Sequence, residues 1–227
     1  VGVTAKAVKE GPSTREGILD AAARIIHVKG YTATSIDDVL RESGVGKGNF
    51  YYYFKSKEDL GYAILDQTID AFVSRVLKPC FADADADRID QIHCFLTRIL
   101  EAQRQRNCVG GCAMGNLASE LSDVHEGFRA RLAQVFSGWR ARLTDVLTDG
   151  QARGQVVATC DPASVAQFLV ASIEGAILMA KLAKDIEVME RCVEEMRRYL
   201  ALYRSSTGRV SWEAQPQASR PSDKERS

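Results

Sequence analysis

The stretch Ser35-Ile-Asp-Asp-Val-Leu-Arg-Glu-Ser-Gly-Val-Gly-Lys-Gly-Asn-Phe-Tyr-Tyr-Tyr-Phe-Lys-Ser-Lys57 leaves the backbone few choices. Ser35 can accept the free amide of Asp38, and Asp37 and Asp38 put negative charge at the positive end of a helix dipole, so a helix is predicted to begin at Ile36. Ile36, Val39 and Leu40 then share a face. Gly44 follows where the chain must reverse, because glycine takes the left-handed conformation without steric cost. A second short helix, about Lys47 to Phe54, can bury Phe50 and Phe54 at i, i+4 spacing and leave Lys47, Gly48, Asn49 and Tyr51 to Tyr53 pointing outward or sideways. Two short helices about a sharp turn are the outline of a helix-turn-helix DNA reader. Three adjacent tyrosines suit a surface that meets sugar and phosphate, where hydroxyls donate to phosphate oxygens and rings pack on deoxyribose. The competing reading makes them packing residues of a small three-helix unit.

A family resemblance rests on these residues. Gly46-Lys-Gly-Asn-Phe-Tyr-Tyr-Tyr-Phe-Lys-Ser-Lys-Glu-Asp-Leu60 resembles the recognition helix and following helix start of the TetR family of bacterial repressors. The run from Arg15 to Ile36 is similar to that family's first helix and its entry to the second, so the likeness covers residues 15 to 65. A local echo, Gly111-Cys-Ala-Met-Gly-Asn-Leu-Ala-Ser-Glu-Leu121, is similar to a segment of some members. The resemblance implies phosphate contacts from Thr34, Ser35, Tyr52 and Lys57, and base-edge contacts in the major groove from Lys47, Gly48, Asn49 and Tyr51. Tyr53 stands where the family often has His, an exchange that keeps a hydrogen-bonding aromatic. It also implies an operator of double-stranded DNA, a small-molecule ligand, repression relieved by that ligand, and a homodimer.

The remainder reads as helix throughout, giving an all-α fold: a flexible arm at 1–13, a DNA-binding domain at 14–60, a helical ligand-binding and dimerisation domain at 61–204, and a disordered tail at 205–227. Ser13 or Thr14 is expected to cap a helix to Lys29 with Gly30 ending it, and Ser56 to start a linking helix that runs to Pro79. Further helices are predicted at about 88–106, 112–121, 124–151, 162–183 and 186–204, the Asp161-Pro162 pair marking one start. The last two are apolar on more than one side. Phe168, Ile173, Ala176, Ile177, Met196 and Leu200 are therefore expected at a dimer interface, with small residues allowing close approach.

Phe95, Ile99, Gln103, Cys108, Cys112, Met114, Asn116, Leu117, Phe128 and Trp139 are the candidate ligand-binding residues, since apolar bundle interiors with a few polar groups hold small molecules; the same residues would also make an ordinary core. The six cysteines exclude little. Structural disulfides are not expected in a cytosolic chain. Cys108 and Cys112, near a helix start, fit small buried residues, an electrophile or oxidant sensor, or with Cys94 a soft-metal site. Net charge is zero, but residues 43–57 carry Lys47, Lys55 and Lys57 and no acid, so the reading surface is positive. Asp83, Asp85, Asp87 and Asp90 lack the glycine turn of a calcium loop and read as a solvated loop and helix start. No apolar run is expected to span a bilayer and no signal peptide is evident, which points to the cytoplasm. His27, His93 and His125 form no recognisable nucleophile-base pattern and no strand precedes a phosphate loop, so neither an enzyme nor a cofactor or metal is expected. The alternative function is a helical small-molecule-binding or interaction protein without a DNA target.

Overall fold

The computed structural model describes residues 14–205; the expected arm at 1–13, and the expected tail beyond its first residue, lie outside the described residues. Three short helices come first: α1 (Thr14–Lys29), α2 (Ile36–Ser43) and α3 (Lys47–Tyr53). Ile18, Val39, Phe50 and Phe54 are all but inaccessible at their centre, closed below by Leu60 and Leu65 of α4 (Lys57–Phe72). The local signals work as the chain suggests. Ser35 Oγ accepts the Asp38 amide at 3.0 Å while the Asp38 carboxylate accepts the Ser35 amide at 3.0 Å, and Gly44 ends α2 at φ 69°. Ser56 Oγ caps α4 by accepting the Asp59 amide.

The linking helix runs further than expected. After α4 come a widened π-helical turn, Val73–Leu77, and α5 (Lys78–Phe81), so the chain passes through Pro79 instead of stopping there. Lys78 N–H reaches back five residues to Val73 O, and Pro79 sits in the first turn of the new segment, where a missing N–H costs least.

The larger body consists of α6 (Arg88–Gln105), α7 (Ala113–Leu121), α8 (Glu126–Ala152), α9 (Pro162–Ala183) and α10 (Ile186–Ala201). α9 packs on α8 and α10, α6 lies against both of these, and α7 bridges α8 and α4. The acidic loop is organised by a buried arginine. Arg88 donates to the carbonyls of Asp83, Ala84 and Ala86 and to the Asp149 carboxylate, while Asp87 caps α6; no metal-holding cluster is present among the described residues.

Three expectations are corrected here. Cys80 on α5 and Cys94 on α6 form a disulfide, because the packing of α5 on α6 brings their Cα atoms to 5.5 Å, within bridging reach. This also removes Cys94 from any metal site with Cys108 and Cys112. Secondly, α9 is by length and composition apolar enough to cross a membrane, with mean hydropathy 1.6; in this fold its inner face is core for α8 and α10. Thirdly, Ile173, Ala176, Ile177, Met196 and Leu200 are buried inside their own subunit and are not free to meet a second one, leaving Phe168 as the exposed member of the predicted interface set. An apolar helix of this kind has two sides, and on α9 these residues lie on the inner one, packed on α8 and α10.

Candidate nucleic-acid interface and effector cavity

α3 presents its reading residues by burying Phe50 on the opposite side. Phe50 packs inward, 5.8 Å from the Phe54 ring, which turns Lys47, Gly48, Asn49, Tyr51 and Tyr52 to solvent, Tyr52 at 81% exposure. Tyr53 is half-buried and meets Tyr52 edge-on at 4.9 Å. Gly48 stands inside the helix, yet a Cβ built there meets nothing within 4 Å. Nothing among the described residues requires a glycine at that position.

The residues expected to grip phosphate divide. Ser35 is exposed at the start of α2, its hydroxyl engaged with Asp38 in the capping box. Thr34 is corrected: its side chain is buried and its hydroxyl donates to Gly30 O at 2.7 Å, closing the α1–α2 turn. Lys57 is half-buried; its Nζ donates to Thr32 O at 3.3 Å and lies 4.5 Å from the Tyr31 ring centre, and burial lowers its pKa. Its ammonium is thus tied to the reading head.

Behind the head lies a cavity of about 450 Å³ between α4 and its π-helical extension, α6, α7, α8 and α9. Ile99, Gln103, Cys112, Met114 and Trp139 line it, as the chain suggested. Phe72, tilted by 30° against Trp139 at 4.4 Å, also lines it, as do Arg75, Arg106 and Glu174. Glu174 carried a legible signal, being the single carboxylate in the largely apolar α9. Asn116 and Leu117 instead border a second cleft of about 530 Å³ between α1, α4 and α7, beside His27 and Glu120. Asn116 there acts as a clamp, donating to Gly110 O at 2.6 Å and accepting Lys181 Nζ at 3.2 Å.

Phe95, Cys108 and Phe128 line neither space and are corrected to core. Phe95 packs among Phe72 and Phe81, Cys108 is buried in a left-handed turn at φ 57°, and Phe128 stacks at 4.4 Å on Tyr62 at the junction of head and body. Of the readings open for Cys112, the reactive thiolate is the one its surroundings disfavour. Burial, then the adjacent Glu174 carboxylate, pushes its thiol up to about 12, outweighing the helix-start amide of Gly115. Burial likewise raises the pKa of Glu174, against the lowering effect of its contact with Cys112.

The same architecture recurs in known proteins. Residues 18–64 match the model for bacterial regulatory proteins of the tetR family, and residues 89–196 that for the tetracyclin repressor-like C-terminal domain. The chain is 35% identical over 178 residues, 78% of its own length and 88% of the relative's, to an uncharacterised HTH-type transcriptional regulator of Lactococcus lactis subsp. lactis. It is 28% identical over 188 residues, 83% of its length and 94% of the relative's, to the HTH-type transcriptional repressor NemR of Escherichia coli. Among solved structures, a TetR transcriptional regulator from Chloroflexus aurantiacus superposes with a TM-score of 0.78 at 28% identity, over 85% of this chain and 96% of that one. With both the reading head and the helical body matched in order, the chain belongs to the tetR family of bacterial transcriptional regulators.

Proposed function

We propose that this regulator is a ligand-responsive repressor of the cytoplasm, not an enzyme, which binds a pseudo-palindromic operator as a homodimer and leaves it when a small molecule fills the 450 Å³ cavity. The observation that carries the reading is the outward set on α3, with Lys47, Asn49 and Tyr51 facing the groove and Tyr52 and Ser35 facing phosphate. Gly48 among them has open space around it, as Gly17, Gly138 and Gly175 have in other helices, and at this place the bare backbone permits close approach of base edges. The head is assigned to residues 14–60 and the effector and dimer body to 61–204. The protonated Cys112 thiol favours a non-covalent effector over a reactive electrophile.

Dimerisation is supported by α9. Phe168, Ala171, Gly175, Leu178 and Leu182 lie at 3–4-residue spacing on its outer side, and Phe168, Leu178 and Leu182 are 46, 61 and 76% exposed. A stripe of that spacing matches the seam of a helix pair related by a two-fold axis. Two recognition helices would then enter successive major grooves about 34 Å apart.

Fluorescence anisotropy on duplexes from the DNA upstream of the protein's own coding sequence tests this. Binding should be specific and should fall steeply with salt, Lys47→Ala should flatten the salt slope by about one unit, and Asn49→Ala should relax base discrimination at unchanged slope. Equal affinity for upstream and random duplexes would leave the helical binding protein without a DNA target as the better reading.

A further inference from the structure

The two ends of α7 do different things. At its start Cys112, Ala113 and Met114 line the cavity. Near its end Glu120 leaves the body altogether and enters the reading head: one carboxylate oxygen accepts the Tyr31 N–H at 3.1 Å and the other the Thr32 N–H at 2.9 Å. These amides belong to the turn between α1 and α2, a few residues before the Ser35 cap. The turn is gripped from its other side too, since Lys57 binds Thr32 O and Thr34 binds Gly30 O.

A second observation is the room the turn leaves for the carboxylate, beside a glycine that its left-handed φ already requires. Gly30 has φ +92°, and a Cβ placed there would collide with the Glu120 carboxylate oxygens. The backbone is left bare where Glu120 comes in. Between Ala113 and Glu120 the helix rises about 10 Å, short enough to move as a rigid rod.

We propose that Glu120 is the positioning residue that holds the reading head in its operator-binding setting, and that an occupant of the cavity acts by displacing α7 and withdrawing this carboxylate. The consequence for DNA rests on the repressor reading; the grip on the turn does not. Hydrogen bonds to a charged acceptor at a partly exposed site are worth roughly a tenfold change in an equilibrium.

The test uses full-length protein and two readouts. Amide hydrogen exchange at Tyr31 and Thr32 should speed up about tenfold in Glu120→Ala and less in Glu120→Gln, whose carbonyl oxygen keeps one acceptor. Operator affinity should fall by a similar factor in Glu120→Ala with the salt slope unchanged, because no phosphate contact is lost.

Ala113→Phe then stands in for an occupant, with Ala113→Leu as the milder filler should the larger side chain unfold the protein. Sites this far apart without shared partners ordinarily add to within about twofold. If α7 transmits the displacement, each filler should weaken operator binding, and combining it with Glu120→Gln should cost no more than the stronger single change. Additive losses, a filler with no effect on the operator, or unchanged exchange at Tyr31 and Thr32 would each overturn the proposal. Failure of the wild-type protein to prefer operator DNA would count against the repressor reading instead, and the exchange experiment would still decide whether Glu120 holds the turn.

Discussion

Gly48 and Gly61 both interrupt helices, yet their surroundings give them opposite consequences. Around Gly48 a Cβ meets nothing; at Gly61, on α4, it would come within 2.7 Å of the Tyr31 ring and 2.8 Å of the Phe128 ring. Gly48→Ala should therefore raise stability by up to about 1 kcal/mol, the helix-propensity difference, while weakening operator binding. Gly61→Ala gains the same propensity but forces two aromatic rings apart, and overpacking of this kind costs about 1–3 kcal/mol. It should lower stability on balance. Urea titrations read both signs, and a Gly48→Ala protein that binds operator at wild-type strength would remove the argument that the groove demands a bare backbone there. The distinction between these glycines is invisible in the chain. Both stand in helical surroundings, and only the three-dimensional neighbourhood separates a site left open for a partner from one filled by Tyr31 and Phe128.

At the scale of elements, α1 and the 107–111 turn are locked through His27. Asn107, Cys108, Gly110 and Gly111 all have positive φ, which folds the turn tightly enough that a Cβ at Gly110 would collide with the His27 ring. The Nε2 of His27 is buried without a hydrogen-bond partner among the described residues, and burial, followed by the nearby Arg106 and Lys181 charges, lowers its pKa against a weaker opposing bond with the Val109 backbone. The folded state therefore binds fewer protons than the unfolded chain between the lowered native value and the usual 6.5. Stability should be full above about pH 6.5 and should be lost as pH falls through that interval. His93, lowered mainly by burial, contributes in the same direction. Urea midpoints at pH 7.5 and 5.5 should accordingly separate, and His27→Gln should shrink the separation to the part left by His93; an unchanged separation would show that His27 titrates freely.

Elements were also where the chain was most legible. Caps at Ser35, Ser56 and Asp161 and the left-handed Gly44 act through neighbours within four residues, so α2, α4 and α9 begin or end where local chemistry places them. Pro79 misled because its compatibility with a continuing helix depends on the π turn before it, and Cys80–Cys94 because pairing across α5 and α6 is a tertiary fact. The cavity was half legible for a related reason. Ile99, Met114 and Trp139 announce an apolar interior, but which apolar residues border space and which border one another, as Phe95 and Phe128 do, is decided by packing between distant helices.

For the molecule as a whole, the outer side of α9 is the feature that a single chain leaves unresolved in energy. Phe168, Leu178 and Leu182 are each about half or more exposed, with Met179 beside them at 52%, on a helix whose inner residues are already spent on α8 and α10. Burying such a stripe against its two-fold copy stabilises by roughly 25 cal/mol for each Å² of apolar surface removed from water. The neighbouring outer side of α10 offers no competing seam, since Glu187, Arg191, Glu195 and Arg198 occupy it with ion pairs along the helix. Leu178→Glu places a charge at the middle of the seam and faces its own copy across the axis, so like charges meet and the dimer should dissociate. Because the side chain is exposed in the subunit, helix content by circular dichroism should stay at the wild-type level. Sedimentation should report a monomer, and operator affinity should collapse toward that of one recognition helix, with the salt slope falling by about half as one set of phosphate contacts is lost. A Leu178→Glu protein that sediments as a dimer and binds the operator normally would place the two-fold seam elsewhere and leave this stripe free for another partner.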